Sequence, residues 1–303
     1  MLFAEKTPAE KRQGLRDALA SGRLLRFPGA HAPIVGRIAE ETGFDGVYIS
    51  GAALSADLAL PDIGLTTLAE VAGRGRQIAG ATDLPSIIDA DTGFGESMNA
   101  ARTVREMEDA GLSGCHIEDQ VLPKRCGHLD NKTLIETVAM ARKIRAAADA
   151  KRDSNFLIMA RTDANAVEGL DATIQRAKAY VDAGAEALFP EALTDKKQYE
   201  TFRAAFDVPL LANMTEFGKT PLLTTRELED LGFNIVIYPV TSLRLAMKAI
   251  EDGFAEIMKE GTQAGIVERM QTRKRLYEVL RYEDYNSFDQ DIFNFKLEIL
   301  GEI

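Results

Sequence analysis

Lys124-Arg125-Cys126-Gly127-His128 places a thiol among two fixed cations and an imidazole. Each positive neighbour favours thiolate over thiol, so the segment reads as an activated sulfur, open to use as a nucleophile, an acid or base, or a ligand. A second constellation is Asp89-Ala90-Asp91. Residues i and i+2 of a strand face the same way, so both carboxylates can converge on one cation, and hard oxygens suit Mg²⁺ or Mn²⁺. Asp62 and Glu118 could complete such a site through water. Arg161 closes an apolar run, where a charge is costly unless an anionic substrate or a carboxylate such as Glu191 pairs with it. Plainer readings stand beside these: a helix cap for the Asp pair, a structural ion pair for Arg161. His116 alternates with apolar residues and reads as a satisfied core histidine, and Cys115 as core filler. Thr92-Gly93-Phe94-Gly95 is too short to be a phosphate-binding fingerprint.

The elements that must position these groups repeat one grammar. Short apolar runs at 24–28, 46–50, 85–89, 114–118, 156–161, 185–190, 208–213 and 234–238 predict strands. Between them, helical periodicity covers 34–42, 67–79, 99–110, 134–148, 170–183, 196–205 and 225–231. Several of these end in the Gly that terminates a helix, at Gly111, Gly184 and Gly232. Eight strand-helix units predict an α/β fold, a (β/α)8 TIM barrel, with an open doubly wound sheet as the alternative. Residues 1–303 read as one domain. An N-terminal helix over 7–21 carries a Thr7…Glu10 capping box. A C-terminal helical extension, about 241–303, covers 241–259, 263–280 and 288–300. Its apolar faces exceed what a barrel can bury, which predicts packing on a neighbouring subunit in a homo-oligomer.

In a barrel, catalytic groups sit at the C-terminal ends of strands. Those ends carry Tyr48 and Ser50-Gly51, Asp89 and Asp91, Glu118-Asp119, Arg161 and Asp163, Glu191, Asn213 and Thr215, then Thr241 and Arg244. One polar strand end is a routine cap; a polar residue at nearly every end is what a catalytic rim predicts.

The chain has 303 residues, 46% of them hydrophobic and 27% charged, with a net charge of −11. That charge, without a basic block, argues against nucleic acid and anionic membranes as partners. No apolar run approaches the ~18 residues of a membrane span. The opening Met1-Leu2-Phe3-Ala4-Glu5-Lys6 lacks the apolar core of a signal peptide. Two cysteines, Cys115 and Cys126, suit a reducing compartment, and the expected location is the cytoplasm.

The loop motif, taken with Asp89-Ala90-Asp91-Thr92-Gly93-Phe94-Gly95 and His116-Ile117-Glu118-Asp119-Gln120, resembles the signature of the isocitrate lyase and phosphoenolpyruvate mutase superfamily. Met159-Ala160-Arg161-Thr162-Asp163-Ala164, Glu168-Gly169-Leu170-Asp171, Leu188-Phe189-Pro190-Glu191-Ala192, Ala212-Asn213-Met214-Thr215-Glu216-Phe217-Gly218 and Met270-Gln271-Thr272-Arg273 narrow the resemblance to the branch that splits 2-methylisocitrate. It runs from about residue 20 to about 285, and the large insertion of true isocitrate lyases is absent.

The resemblance implies a Mg²⁺-dependent carbon–carbon lyase, a tetramer whose terminal helix packs on a neighbour. It would convert a di- or tricarboxylate, 2-methylisocitrate, to pyruvate and succinate in the methylcitrate cycle of propionate breakdown. It assigns the metal to Asp89 and Asp91, with Asp62 and Glu118 through water. Cys126, tuned by Lys124, Arg125 and His128, would protonate the succinate carbanion; Arg161 would offset the oxyanion, with Tyr48 as a candidate proton acceptor. Ser50, Gly51, Ala52, Lys124, Arg125, Cys126, Gly127, Arg161, Glu191, Asn213, Met214, Thr215, Arg244 and Arg273 would bind substrate. The Gly-hinged loop is expected to close over it. Ser50-Gly51-Ala52 departs from the family's Ser-Gly-Gly, and the extra methyl is expected to narrow the room for a carboxylate. The alternatives are a sister lyase acting on 2,3-dimethylmalate or isocitrate, and a non-catalytic carboxylate-binding protein.

Overall fold

A computed structural model of the chain describes residues 4–125, 127 and 131–295. Helix α1 (Pro8–Ala20) begins at Thr7, whose side chain and that of Glu10 form the reciprocal capping box expected of them. The barrel follows in order: β1 (Leu25–Pro28), α2 (Pro33–Thr42), β2 (Val47–Ile49), α3 (Gly51–Asp57), α4 (Leu68–Ala79), β3 (Ser86–Asp89), α5 (Ser97–Asp109), β4 (Gly114–Glu118), α6 (Thr137–Ala150), β5 (Leu157–Thr162), α7 (Leu170–Asp182), β6 (Ala187–Pro190), α8 (Lys196–Ala204), β7 (Leu211–Asn213), α9 (Thr225–Asp230) and β8 (Ile235–Tyr238). Each strand falls inside its expected run except β5, which extends one residue past it to Thr162. Gly111, Gly184 and Gly232 adopt positive φ at the helix ends, as only glycine does cheaply.

All the paired strands are parallel. One sheet runs β2-β3-β4-β5-β6 and the other β1-β8-β7. Parallel bridges Gly29↔Tyr48 and Leu188↔Leu210 join their edges and close the barrel. Alternation along each strand sorts side chains into two layers. Val47, Ile49, Ile88, Cys115, Ile117, Ile158, Ala160 and Leu188 face outward to the helices. Phe27, Tyr48, Ile87, Leu157, Met159, Phe189, Leu211 and Ile235 fill the interior, which α1 closes below with Leu15 and Leu19. On five strands the interior column ends in a polar or charged residue: Ile87 then Asp89, His116 then Glu118, Met159 then Arg161, Phe189 then Glu191, Leu211 then Asn213.

The C-terminal part departs from expectation in its boundaries. α10 (Thr241–Glu260) is one long helix, but the expected helix over 263–280 is divided into a 3-10 segment, Ala264–Arg269, and α11 (Arg273–Val279). Thr272 caps α11 by accepting the Arg275 N–H, which makes a start where one continuous helix was expected. α12 (Tyr282–Phe293) begins earlier than the expected 288, and residues 296–303 lie outside the described residues. Helix α3 was not foreseen, because its seven residues are too few to show a period. On α10, Leu245, Ile250, Phe254 and Ile257 are exposed, as are Phe288, Ile292 and Phe293 on α12. No helix among the described residues is long and apolar enough to cross a membrane.

Candidate active site

Strand register brings the rim together. Asp89 on β3 pairs with His116 on β4, and Glu118 on β4 pairs with Arg161 on β5, so side chains of different strands meet at one height. Arg161 is buried among three carboxylates. Its Nε lies 3.0 Å from Asp163 Oδ2 and 3.3 Å from Glu118 Oε2, and its Nη2 3.3 Å from Glu191 Oε2. Its guanidinium carbon lies 5.1 Å from the centroid of the Phe189 ring. Burial alone would push this cation down, but Asp163, Glu118 and Glu191 outweigh it and hold it well above the ordinary arginine value.

Below Arg161 runs a second polar chain. The Tyr48 hydroxyl stands 2.7 Å from His116 Nε2, and His116 Nδ1 faces Asp89 Oδ1 at 3.7 Å. Burial pushes the imidazole down to about 4, so it is neutral at neutral pH. Burial, then Asp89, lifts the phenol well above its usual range, so it keeps its proton. Asp89 is held below the usual carboxylate range: burial opposes ionisation, but His116, Lys124 and Arg161 outweigh it.

Two acids follow the strands in strained backbone. Asp91 has φ 45° and its Oδ1 lies 2.9 Å from Lys124 Nζ, which also pairs with Asp62. Glu191 is followed by Ala192 at φ 58°, whose N–H donates back to Glu191 Oε1 at 3.0 Å. Left-handed backbone at non-glycine residues is costly and clusters where geometry serves function.

A phosphoenolpyruvate phosphomutase family model matches residues 15–258. The chain belongs to the phosphoenolpyruvate mutase and isocitrate lyase family. It is 60% identical over 291 residues to the probable 2-methylisocitrate lyase 2 of Corynebacterium glutamicum, covering 96% of this chain and 95% of that one. It is 48% identical over 277 residues to the 2-methylisocitrate lyase of Bacillus subtilis, covering 91% of each. Among solved structures it resembles a phosphonopyruvate hydrolase complexed with oxalate and Mg²⁺, at a TM-score of 0.85 and 32% identity, over 92% of this chain and 98% of that one. By these relations it is an enzyme of this lyase class.

Against that family pattern, most expected residues converge. Ser50 caps α3, and the Gly51 N–H donates to Asp89 Oδ2 at 3.3 Å. A Cβ at Gly51 would stand 3.0 Å from that oxygen, so the glycine lets backbone approach the carboxylates. The Ala52 methyl packs against the Ala53–Val240–Leu243 cluster, so α10 receives the bulk that was expected to narrow the room for a carboxylate. Asn213 Nδ2 reaches Glu191, Met214 Sδ accepts the Leu223 N–H, and Thr215 is buried beside them in the chain. Gly127 is pressed onto the site: a Cβ there would lie 2.4 Å from Glu191 Cγ and 2.5 Å from Arg161 Nη2. A cavity of about 510 Å³ opens on the Asp91 side, between residues 64–69 and Phe94 with Asn99, Arg102 and Glu106 of α5.

Three further expected residues have surroundings of their own. The Lys124 ammonium is buried between Asp62 and Asp91; burial would push it down, and Glu118, Asp91, Asp89 and Asp62 more than offset this. Arg244 is bonded to the Glu216 carbonyl and stacked over Phe217. Arg273 opens α11, which packs on the C-terminal half of α2 through Arg275–Glu41 and Arg37–Val279, at the end of the barrel away from the rim. Arg125 is exposed and held by its backbone to Gln120, while Cys126 and His128 lie outside the described residues. His116, read as a satisfied core residue, has no hydrogen-bond partner for Nδ1 and links Tyr48 to Asp89. The strand pairing that places it there is invisible in a single strand's pattern.

The donor set fits a hard divalent cation held largely through water. Both Glu118 carboxylate oxygens are buried without a hydrogen bond, and burial lifts this acid well above its usual range. Burial, with Asp89 nearby, also lifts Asp91, to about 6, against the pull of Lys124. At each acid the neighbouring cation, Arg161 beside Glu118 and Lys124 beside Asp91, does not outweigh the cost of burial. Among the described residues no group of three or more His, Cys, Asp or Glu is close enough to hold a metal directly.

Proposed function

We propose that this enzyme cleaves 2-methylisocitrate to pyruvate and succinate with Mg²⁺, or Mn²⁺ in its place, as a cytoplasmic homotetramer in the methylcitrate cycle. The observation that carries the reading is Arg161, pinned among three carboxylates above the Tyr48–His116–Asp89 chain. That pairing sets a fixed positive charge beside a path for a proton. The names of the relatives support the substrate.

Asp89 would hold Mg²⁺ directly, with Asp91, Asp62 and Glu118 acting through water. The ion would supply positive charge toward the carboxylate and C2 hydroxyl of the pyruvate half. The hydroxyl proton passes to Tyr48 as the phenol gives its own to His116 Nε2, and the imidazolium is stabilised by Asp89. Arg161 offsets the charge on the C2 oxygen. The C2–C3 electron pair remains on C3 as the carbanion of the succinate half, next to a carboxylate. The Cys126 thiol gives this carbon its proton and becomes thiolate. Solvent exchange then returns the His116 proton to the sulfur. Glu191, Asn213, Thr215 and the Ser50–Ala52 backbone orient the carboxylates.

Product analysis on purified enzyme with Mg²⁺ and 2-methylisocitrate, isocitrate or 2,3-dimethylmalate tests this. The highest kcat/KM is expected for 2-methylisocitrate, with pyruvate and succinate released in equal amounts. A higher kcat/KM for 2,3-dimethylmalate would assign the sister activity. Cys126→Ser is expected to lower kcat by about 10²–10⁴-fold with the fold intact. Near-normal turnover would remove the thiol from the reaction.

A further inference from the structure

We infer that Lys132 is a positioning residue for the proton-donating side of the site, fixing the Gly127 peptide against Arg161. This rests on the reading of Cys126 as proton donor. Lys132 lies past the loop motif and was not singled out in the sequence. Its side chain is 1% exposed, and its ammonium donates to the Gly127 carbonyl and, at 3.0 Å, to Asp163 Oδ1. Asp163, itself fully buried, holds Arg161 through Nε at 3.0 Å and Nη2 at 3.2 Å. Gly127 packs directly on Arg161 and Glu191, where a Cβ could not fit. The contacts form a ring: Gly127 to Lys132, Lys132 to Asp163, Asp163 to Arg161, and Arg161 back to Gly127.

A buried ammonium needs acceptors, and several arrangements would serve stability alone. This one takes an acceptor from the peptide next to the reactive cysteine and another from the carboxylate that orients the oxyanion's arginine. Lys132 thus ties the Gly127 backbone to the Asp163–Arg161 pair that faces the charge at C2. Without it, Asp163 is left to Arg161 alone and the Gly127 carbonyl loses its donor. An ångström of displacement at a reacting group costs on the order of 10²-fold in rate.

The test compares Lys132→Met and Lys132→Arg in the Mg²⁺-loaded enzyme. It measures kcat and KM for 2-methylisocitrate, and alkylation of each cysteine by iodoacetamide through peptide mass mapping. Buried Cys115 serves as the internal reference for global loosening. Lys132→Met is expected to lower kcat by about 10²-fold while KM moves less than about threefold. Its Cys126 alkylation rate should differ from that of the wild type while Cys115 stays protected. Lys132→Arg, which keeps charge and more than one donor, should recover most of kcat. A kcat for Lys132→Met within about twofold of wild type, or loss of activity with Cys115 alkylated in parallel, overturns the inference. If Lys132→Met does not fold, Lys132→Gln, which retains one donor, carries the same comparison. A wild-type enzyme that releases no pyruvate and succinate defeats the proposed function. Unchanged Cys126 alkylation in the variant defeats the positioning role whatever the substrate.

Discussion

The two ends of this barrel bury cations in opposite ways. At the N-terminal end, Lys11 donates to the Ala79 and Thr82 carbonyls, where α4 ends. Arg12 donates to the Glu108 and Leu112 carbonyls, where α5 ends, and to Asp153. These helix C-termini carry partial negative charge and unpaired carbonyls, so each cation completes a cap. At the rim, Lys124, Lys132 and Arg161 are paired chiefly with buried carboxylates, Arg161 with three of them. Burial still lifts Glu118 and Asp91 above their usual range. One end is paired for stability; the other keeps acids that need a further positive charge, which is the condition of a site awaiting its ligands.

The sharpest way to break the rim is Arg161→Met. It removes the charge set against the oxyanion, and kcat is expected to fall by about 10³-fold. It also leaves Glu118, Asp163 and Glu191 buried around a lost partner, at a cost of about 3–5 kcal/mol. Steady-state kinetics and a denaturant titration read the two losses separately. Retained activity would move the oxyanion role elsewhere.

Glu118→Gln probes the waiting acids more gently. Burial lifts this carboxyl well above its usual range, so replacing it by the neutral amide should cost little stability without Mg²⁺. Mg²⁺ should bind about 10-fold more weakly, because the variant lacks a carboxylate acting through water. Calorimetry in buffers of different ionisation enthalpy should show proton release with the metal in wild type but not in the variant. Equal affinity would place Glu118 outside the metal's surroundings.

The opposite end supplies the contrasting variant. Arg12→Met strips the cap from α5 and its pairing with Asp153, at an expected cost of about 2–3 kcal/mol in stability. kcat/KM should stay at the wild-type value, because no rim residue touches it. A fall in kcat/KM without a fall in stability would mean that the two ends are coupled.

This contrast explains what the sequence could reveal. The barrel was legible because strands buried on both faces read as short apolar runs, and the polar residue ending each run marks the rim. Contacts between strands were not. His116 looks like a core residue until register sets it beside Asp89, and Lys132 looks like a loop lysine until Gly127 and Asp163 are seen around it. Lys124 is a further case: its pairing with Asp62 and Asp91 joins segments far apart in the chain. The helix starting at Thr272 was lost within a continuous apolar pattern, because one capping residue is a weak signal.

A pH-dependent effect separates two rim groups whose titrations oppose each other. In the metal-free protein Asp91 titrates at about 6 and His116 at about 4, against roughly 3.9 and 6.5 for the unfolded residues. Between about pH 4 and 6 the folded state therefore holds more of the Asp91 proton than the unfolded state does, which makes stability fall as pH rises. His116 does the reverse: the unfolded imidazole takes the proton first, so stability rises with pH over the same window. The two slopes cancel in the wild type. Asp91→Asn removes one of them, and its stability relative to wild type should climb by up to ~1.4 kcal/mol per pH unit from pH 4 to 6. His116→Asn should show the opposite slope. Denaturant titrations across this window in the presence of a chelator measure both. Parallel curves for Asp91→Asn and wild type would show that Asp91 is not the strained acid of the rim.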